Sequence, residues 1–141
     1  MKVTKQFEFS MSHRLQYHEG LCWNIHGHNY VVEVTIEDSK VQEEGPETGM
    51  VMGFGNLKKI CNELFDELDH AFMVNVSDKA VKGFFKNQGF KTYEVDFEPT
   101  AENMAEHIYN ELLPPIRSMN ISLHSVRVWE TASAYATYTK P

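Results

Sequence analysis

The order of hydrophobic patterns along these 141 residues predicts an α+β fold, an antiparallel sheet covered on one face by helices. Three observations predict it. Two segments near the N-terminus alternate polar and apolar residues with a period of two. Two later segments carry apolar stripes spaced three and four residues apart, the spacing of one helix face. The chain then returns to alternation near its C-terminus. No Pro-, Gly- or Ser-rich stretch divides the chain and no fixed-period repeat occurs, so the length predicts one domain over 1–141.

The first strand is expected from Val3 to His13. Phe7, Phe9, Met11 and His13 share one parity, and Gln6, Glu8, Ser10 and Ser12 the other. The second runs from about Ile25 to Ile36, with His26, His28, Tyr30, Val32, Val34 and Ile36 on one face. Asn29, Glu33, Thr35 and Glu37 take the opposite face. The polar stretch from Glu37 to Gly49 reads as a loop, and Met50-Val51-Met52 as a short third strand. A helix follows, with Asn56 as its cap and Leu57, Ile60, Cys61, Leu64, Phe65 and Leu68 as its buried stripe, ending near Asp69-His70. The second helix opens at Pro99-Thr100, with Thr100 as N-cap and Glu102 placed to suit the helix dipole. Its stripe is Ala101, Met104, Ala105, Ile108, Tyr109, Leu112 and Leu113, and Pro114-Pro115 is expected to stop it. In the strand-rich tail, Val126, Val128 and Glu130 share a face, followed by Ala134, Ala136 and Tyr138. Between the helices, residues 74–98 carry the weakest pattern, with one short strand expected at Tyr93–Phe97.

Composition narrows the function. A net charge of -7 argues against a nucleic-acid binder, which needs cations to neutralise phosphates. Two cysteines make no disulfide framework. No run approaches the roughly 18 apolar residues of a membrane span, and Met1 to Gln6 lacks a signal peptide's apolar stretch, so no membrane is expected and the expected compartment is the cytoplasm. Seven histidines are many for this length, and their positions carry the chemistry.

In His26-Gly27-His28, residues i and i+2 of a strand project both imidazoles from one face. His13 lies on the apolar parity of the preceding strand, where an antiparallel neighbour brings a third ring close. Three imidazoles from two strands make a catalytic zinc set with a fourth position open. The same pattern is also met in rings that simply bond backbone carbonyls. Cys22, four residues before His26, has three readings: a closing fourth ligand, a base or nucleophile with a lowered pKa, or a small buried hydrophobe. Cys61, on the helix stripe, reads as core. Asp69-His70 fits a general-base pair, and equally a histidine favoured by a helix C-terminus. Glu130, a carboxylate on an inward face, needs an internal partner or a ligand's N–H groups. His18, His107 and His124 read as ordinary surface or helix residues.

Taken in order, F-x-F-S-x-S-H-R-L, C-x3-H-G-H-x-Y, G-M-V-M-x-F-x-x-L-K, L-D-H, P-T-x-E-N and W-E-T resemble the 6-pyruvoyl-tetrahydropterin synthase superfamily over nearly the whole chain. The C-x3-H-G-H spacing resembles the 6-carboxy-tetrahydropterin synthase branch of the queuosine pathway. The resemblance implies a tunnelling (T-fold) architecture: a four-stranded antiparallel sheet with two helices on one face, assembling into a barrel. The implied assembly is a homo-hexamer of two stacked trimers, with active sites between subunits. It implies zinc (Zn2+) on His13, His26 and His28, catalytic Cys22, an Asp69–His70 relay and a pterin-anchoring Glu130. Thr100 and Glu102 of the P-T-x-E-N segment become further substrate-binding positions.

The implied reaction is a carbon–carbon lyase step converting 7,8-dihydroneopterin triphosphate to 6-carboxy-5,6,7,8-tetrahydropterin, acetaldehyde and triphosphate. The alternatives are a 6-pyruvoyl-tetrahydropterin synthase, which eliminates triphosphate and keeps the side chain, and a zinc- or pterin-binding paralogue without turnover. An acidic chain must gather local cations for a triphosphate; Arg14, Lys58 and Lys59 are the candidates. Two positions depart from the M-x-D-F-x-D-L-K of relatives. Gly53 and Asn56 replace its acidic residues, and Gly53 removes a carboxylate outright.

Overall fold

β1 (Lys2–His13) and β2 (His26–Glu37) pair antiparallel over their full length, from Lys2 opposite Glu37 to His13 opposite His26, in the computed structural model, which describes residues 1–140. A short 3-10 turn at Leu21–Trp23 lies between them. The remaining elements are α1 (Phe54–Leu68), β3 (Phe72–Asn75), α2 (Lys79–Gln88), β4 (Thr92–Val95), α3 (Ala101–Arg117), β5 (Ser122–Thr131) and β6 (Ala134–Thr139). The sheet order is β4-β3-β1-β2-β5-β6. The four long strands β1, β2, β5 and β6 are antiparallel, as the alternation predicts. β3 and β4 extend the β1 edge as two short parallel strands, so the expected four-stranded antiparallel sheet is a six-stranded mixed one with three helices.

The period-two pattern decides which face is covered. Phe7, Phe9 and Met11 of β1, Tyr30, Val32, Val34 and Ile36 of β2, and Leu123, Val126 and Val128 of β5 are buried on one side. Against them pack Leu57, Cys61, Leu64, Phe65 and Leu68 of α1 and Met104, Ala105, Ile108, Tyr109, Leu112 and Ile116 of α3. Each fully buried side chain of this size contributes about 1.5–3 kcal/mol. This shared core fixes both helices on the sheet, and with them the loops that carry the candidate site. Cys61 is fully buried and its thiol is pushed up to about 12 by burial, as a core residue's would be.

Several local expectations are corrected. Met50-Val51-Met52 is not a strand: Val51 and Met52 plug the core, and the backbone there pairs within its own loop, through Gln42 N to Met50 O and Gly49 N to Gln42 O. α1 begins at Phe54, ahead of Asn56, with Gly53 at the N-cap position. The Asn56 amide instead donates to Glu47 Oε1 at 2.6 Å, and Gln42 Nε2 to Glu47 Oε2 at 3.0 Å. A Cβ at Gly53 would sit on the Glu47 carboxylate. The acidic group that Gly53 lacks is therefore supplied from the preceding loop. The Gly53 backbone N–H, with Gln42 and Asn56, holds the Glu47 carboxyl below the usual range.

α3 continues through Pro114-Pro115 to Arg117. Proline costs a helix the N–H bonds to carbonyls four residues back. Here the last turn is closed by Ser118 N to Pro114 O, and Ile116 is buried in the core. Residues 74–98 hold the second half of β3 and all of α2 and β4, the last close to the strand expected at Tyr93–Phe97. α2 has no fully buried residue; it is joined to β3 by Phe85 stacked on Phe72 at 4.2 Å and ends at Gly89 in the left-handed region. Among the described residues no helix is long and apolar enough to cross a membrane.

Candidate metal centre

The antiparallel register places His13 directly opposite His26, and the strand period places His28 on the same face. Ring centroids lie 4.6 Å apart for His13–His26, 5.0 Å for His26–His28 and 5.2 Å for His13–His28. One nitrogen of each ring falls within 4.8 Å of the others. The three histidines therefore converge as the two-strand pattern expects.

Their hydrogen bonds say which nitrogens face inward. His13 Nδ1 is 2.7 Å from the Pro99 carbonyl and His26 Nδ1 is 2.7 Å from the Asn24 carbonyl. A carbonyl only accepts, so each Nδ1 carries the proton and donates it, and each neutral ring keeps its lone pair on Nε2. The two Nε2 atoms are 3.1 Å apart. The His28 Nε2 is buried without a hydrogen-bond partner. Facing lone pairs and an orphaned nitrogen are satisfied together by one cation. Protons are disfavoured there: burial, foremost, lowers the pKa of His13 and of His28 against the opposing pull of Glu130, with His26 adding to the lowering at both. The donor set fits a metal ion.

Glu130 joins this cluster. Its Oε1 lies 3.2 Å from His28 Nε2, off the direction a hydrogen bond needs. β5 shifts register against β6 between Trp129 and Thr131, which leaves Glu130 unpaired in the ladder. Against β2 the register, with Val128 opposite Val32 and Trp129 opposite Val31, keeps Glu130 on the inward face its parity predicts. The Tyr30 hydroxyl, fully buried, lies 3.4 Å from both His13 ring nitrogens.

Cys22 sits half-buried in the Leu21–Trp23 turn, tethered by Leu15 N to Cys22 O at 2.9 Å. It is not part of the converging ligand group. Asp69 and His70 form a pair at 2.9 Å just past α1. Asp69 Oδ1 also accepts from Ser10 N at 3.1 Å, and His70 N donates to Ser10 O at 2.6 Å. These bonds hold His70 in the left-handed region, at φ 60. The His70 hydrogen bond, foremost, holds the Asp69 carboxyl below its usual range. His70 lines a 390 Å³ groove with Ser10, Ser12, Gly27 and Asn29, of the opposite sheet parity to the three histidines, and with His28 itself. Among the described residues the pair makes no hydrogen bond or ion pair with the histidine cluster.

Thr100 caps α3, its hydroxyl accepting from Asn103 N at 3.3 Å, and Glu102 is exposed on the first turn. Arg14 is not a free cation. Its guanidinium is bidentate on the buried Asp78, at 2.6 and 3.0 Å, and lies over the Trp23 ring at 5.1 Å. Lys58 and Lys59 are exposed on α1. The Arg14–Asp78 pair and the two carbonyls that orient His13 and His26 were missed by sequence reasoning. Main-chain carbonyls carry no residue signature, and Asp78 is 64 positions from Arg14. His107 is half-buried beside Tyr93, with Oη and Nε2 2.8 Å apart, and has no contact with the cluster.

Both the fold and this cluster define a class. The 6-pyruvoyl tetrahydropterin synthase family matches residues 2–141, and the chain belongs to that family. Within it, the chain is 34% identical over 141 residues to the 6-carboxy-5,6,7,8-tetrahydropterin synthase of Haemophilus influenzae, covering 97% of each. Among solved structures, the 6-pyruvoyl tetrahydropterin synthase of Caenorhabditis elegans superposes with a TM-score of 0.73 at 28% identity, covering 100% of this chain and 96% of that one. An uncharacterized protein from Wolinella succinogenes superposes at 0.85 with 21% identity, over 100% and 98%, which speaks to the fold alone.

Proposed function

We propose that this chain is a zinc-dependent lyase that converts 7,8-dihydroneopterin triphosphate and one water to 6-carboxy-5,6,7,8-tetrahydropterin, acetaldehyde and triphosphate, the step that serves queuosine biosynthesis. The observation that carries the reading is the convergence of His13, His26 and His28 with Glu130 beside them, in a chain similar over 97% of its length to a 6-carboxy-5,6,7,8-tetrahydropterin synthase. His13, His26 and His28 would hold the ion. Zinc bound there supplies Lewis acidity toward the substrate's side-chain hydroxyls and the bonds next to them.

The chain's own residues do the rest. Glu130, a carboxylate with only acceptor sites, takes hydrogen bonds from the pterin amino and ring N–H groups and fixes the ring beside the histidines. Thr100 and Glu102 flank the same substrate from the start of α3. Cys22, as thiolate, accepts a side-chain proton. His70, oriented by Asp69, exchanges protons during the internal redox and carbon–carbon cleavage steps. No redox cofactor is needed, because the oxidised and the reduced carbon belong to one molecule.

The proposed assembly comes from the family resemblance. His70 makes no hydrogen bond or ion pair with the histidines of its own chain among the described residues, although His28 lines the same groove. A homo-hexamer of two trimers, with each site between subunits, brings the relay of one subunit to the histidines of the next. The competing product is that of a 6-pyruvoyl-tetrahydropterin synthase, the activity in the name of the Caenorhabditis elegans neighbour. Purified protein given dihydroneopterin triphosphate is expected to release one acetaldehyde per triphosphate. Triphosphate release without acetaldehyde would overturn the carboxy assignment in favour of the pyruvoyl one.

A further inference from the structure

The chain beyond β1 and the segment before α3 are tied together at Glu98. Gln16, three residues past His13, donates from Nε2 to Glu98 Oε1 at 3.0 Å and to Ser77 Oγ at 2.7 Å. Asn75, at the end of β3, donates from Nδ2 to the same Glu98 oxygen at 3.0 Å. The Glu98 main-chain carbonyl is engaged as well. It accepts from Asn103 Nδ2 at 2.9 Å, inside the first turn of α3, and from Thr100 N at 2.8 Å. Glu98 is thus held from three elements at once.

The next residue is Pro99, which is buried and whose carbonyl accepts from His13 Nδ1. Proline fixes its own φ and biases the residue before it toward extended backbone. With Glu98 anchored on its side chain and on its carbonyl, little freedom is left for the Pro99 carbonyl to leave His13. His13 is 1% exposed, so no water replaces that acceptor if it moves.

We propose that Glu98 is a positioning residue of the histidine cluster: it holds the Pro99 carbonyl on His13 Nδ1, which keeps the ring in the tautomer whose Nε2 faces His26 and His28. The proposal rests on the reading of those three rings as a metal centre. Glu98 acts through geometry and not through its charge. The groups whose charge bears on His13 are Glu130, His26 and His28. A glutamine side chain offers the same acceptor oxygen to Gln16 and Asn75, whereas alanine offers none.

The test compares wild type, Glu98→Gln and Glu98→Ala in two measurements. Zn2+ affinity is read by competition with a chelating dye, and the His13 tautomer is read in metal-free protein by 15N resonances of the imidazole ring. Glu98→Ala is expected to weaken Zn2+ binding by about 10- to 100-fold, the usual cost of losing a group that orients a ligand histidine. It is also expected to lose the Nδ1–H signature of His13. Glu98→Gln is expected to keep both near wild type. Wild-type affinity in Glu98→Ala overturns the proposal, and so does a Glu98→Gln variant as weak as Glu98→Ala, which would assign the effect to charge. If Glu98→Ala does not fold, Asn75→Ala, which removes one of the two donors, takes its place and should show a smaller loss in the same direction; no loss overturns the proposal. Wild-type protein that binds no Zn2+ refutes the metal-centre reading by itself. The ring resonances then still decide whether Glu98 holds the tautomer.

Discussion

Burial of His13 and His28 favours their neutral form, and this has a consequence for pH. Burial lowers the His13 and His28 pKa from the ordinary value of 6.5, so below that value the unfolded chain binds protons that the folded chain refuses. Their contribution to metal-free stability is complete above about 6.5 and is lost as pH falls toward the lowered folded values. The melting temperature of metal-free protein should therefore drop between pH 7.5 and 5.5, and His28→Asn should flatten that drop; an unchanged slope would show that other groups set it. Cys22 answers to a different experiment. It lies outside the ligand group, so Cys22→Ala should keep Zn2+ at wild-type stoichiometry while turnover falls roughly 10²- to 10⁴-fold, the range for a lost acid–base group. Loss of the metal in that variant would make Cys22 a ligand, and unchanged turnover would remove Cys22 from the proton-transfer role.

At the scale of elements, the stripes of α1 and α3 were legible because each helix buries one face against the same sheet. α2 was not legible: it buries no residue fully, so no stripe had to be kept, and its amphipathic pattern is short. Pro114-Pro115 misled for a related reason. A proline pair argues for a stop from local backbone chemistry, but the burial of Ile116 draws the last turn onward. The start of α1 depends on Glu47, a residue with no periodic signal, whose carboxylate occupies the space beside Gly53. Gly53→Asp should therefore displace Glu47 and lower the melting temperature, and adding Glu47→Ala should recover part of the loss. Scanning calorimetry of the single and double variants checks this; additive losses would refute the coupling. Because the Glu47 carboxyl is held below its usual range, its support of α1 is present above the ordinary glutamate pKa and fades as pH falls through the lowered value.

For the whole molecule, where the Asp69–His70 pair meets the histidine cluster is the decisive arrangement, since within the chain the two share a groove wall but no hydrogen bond or ion pair among the described residues. If one subunit supplies the histidines and its neighbour the relay, Cys22→Ala and His70→Ala homo-oligomers are each inactive, yet subunits mixed by reversible dissociation should regain activity at sites that receive both intact groups. Mixtures as inactive as their parents would place the complete site within one chain. The sequence by itself determined the four long strands, α1, α3 and the shared face of His13, His26 and His28. These follow from local periodicity, since a strand repeats every two residues and a buried helix face every three or four. Tertiary structure decided the rest. It added β3 and β4 to the sheet, spent Arg14 on Asp78, and set the Pro99 and Asn24 carbonyls on their ring nitrogens. Apart from Asn24, close to His26 along the chain, these contacts join residues many positions apart or depend on how two strands register. No local pattern encodes them, and they appear when the shared core brings the elements together.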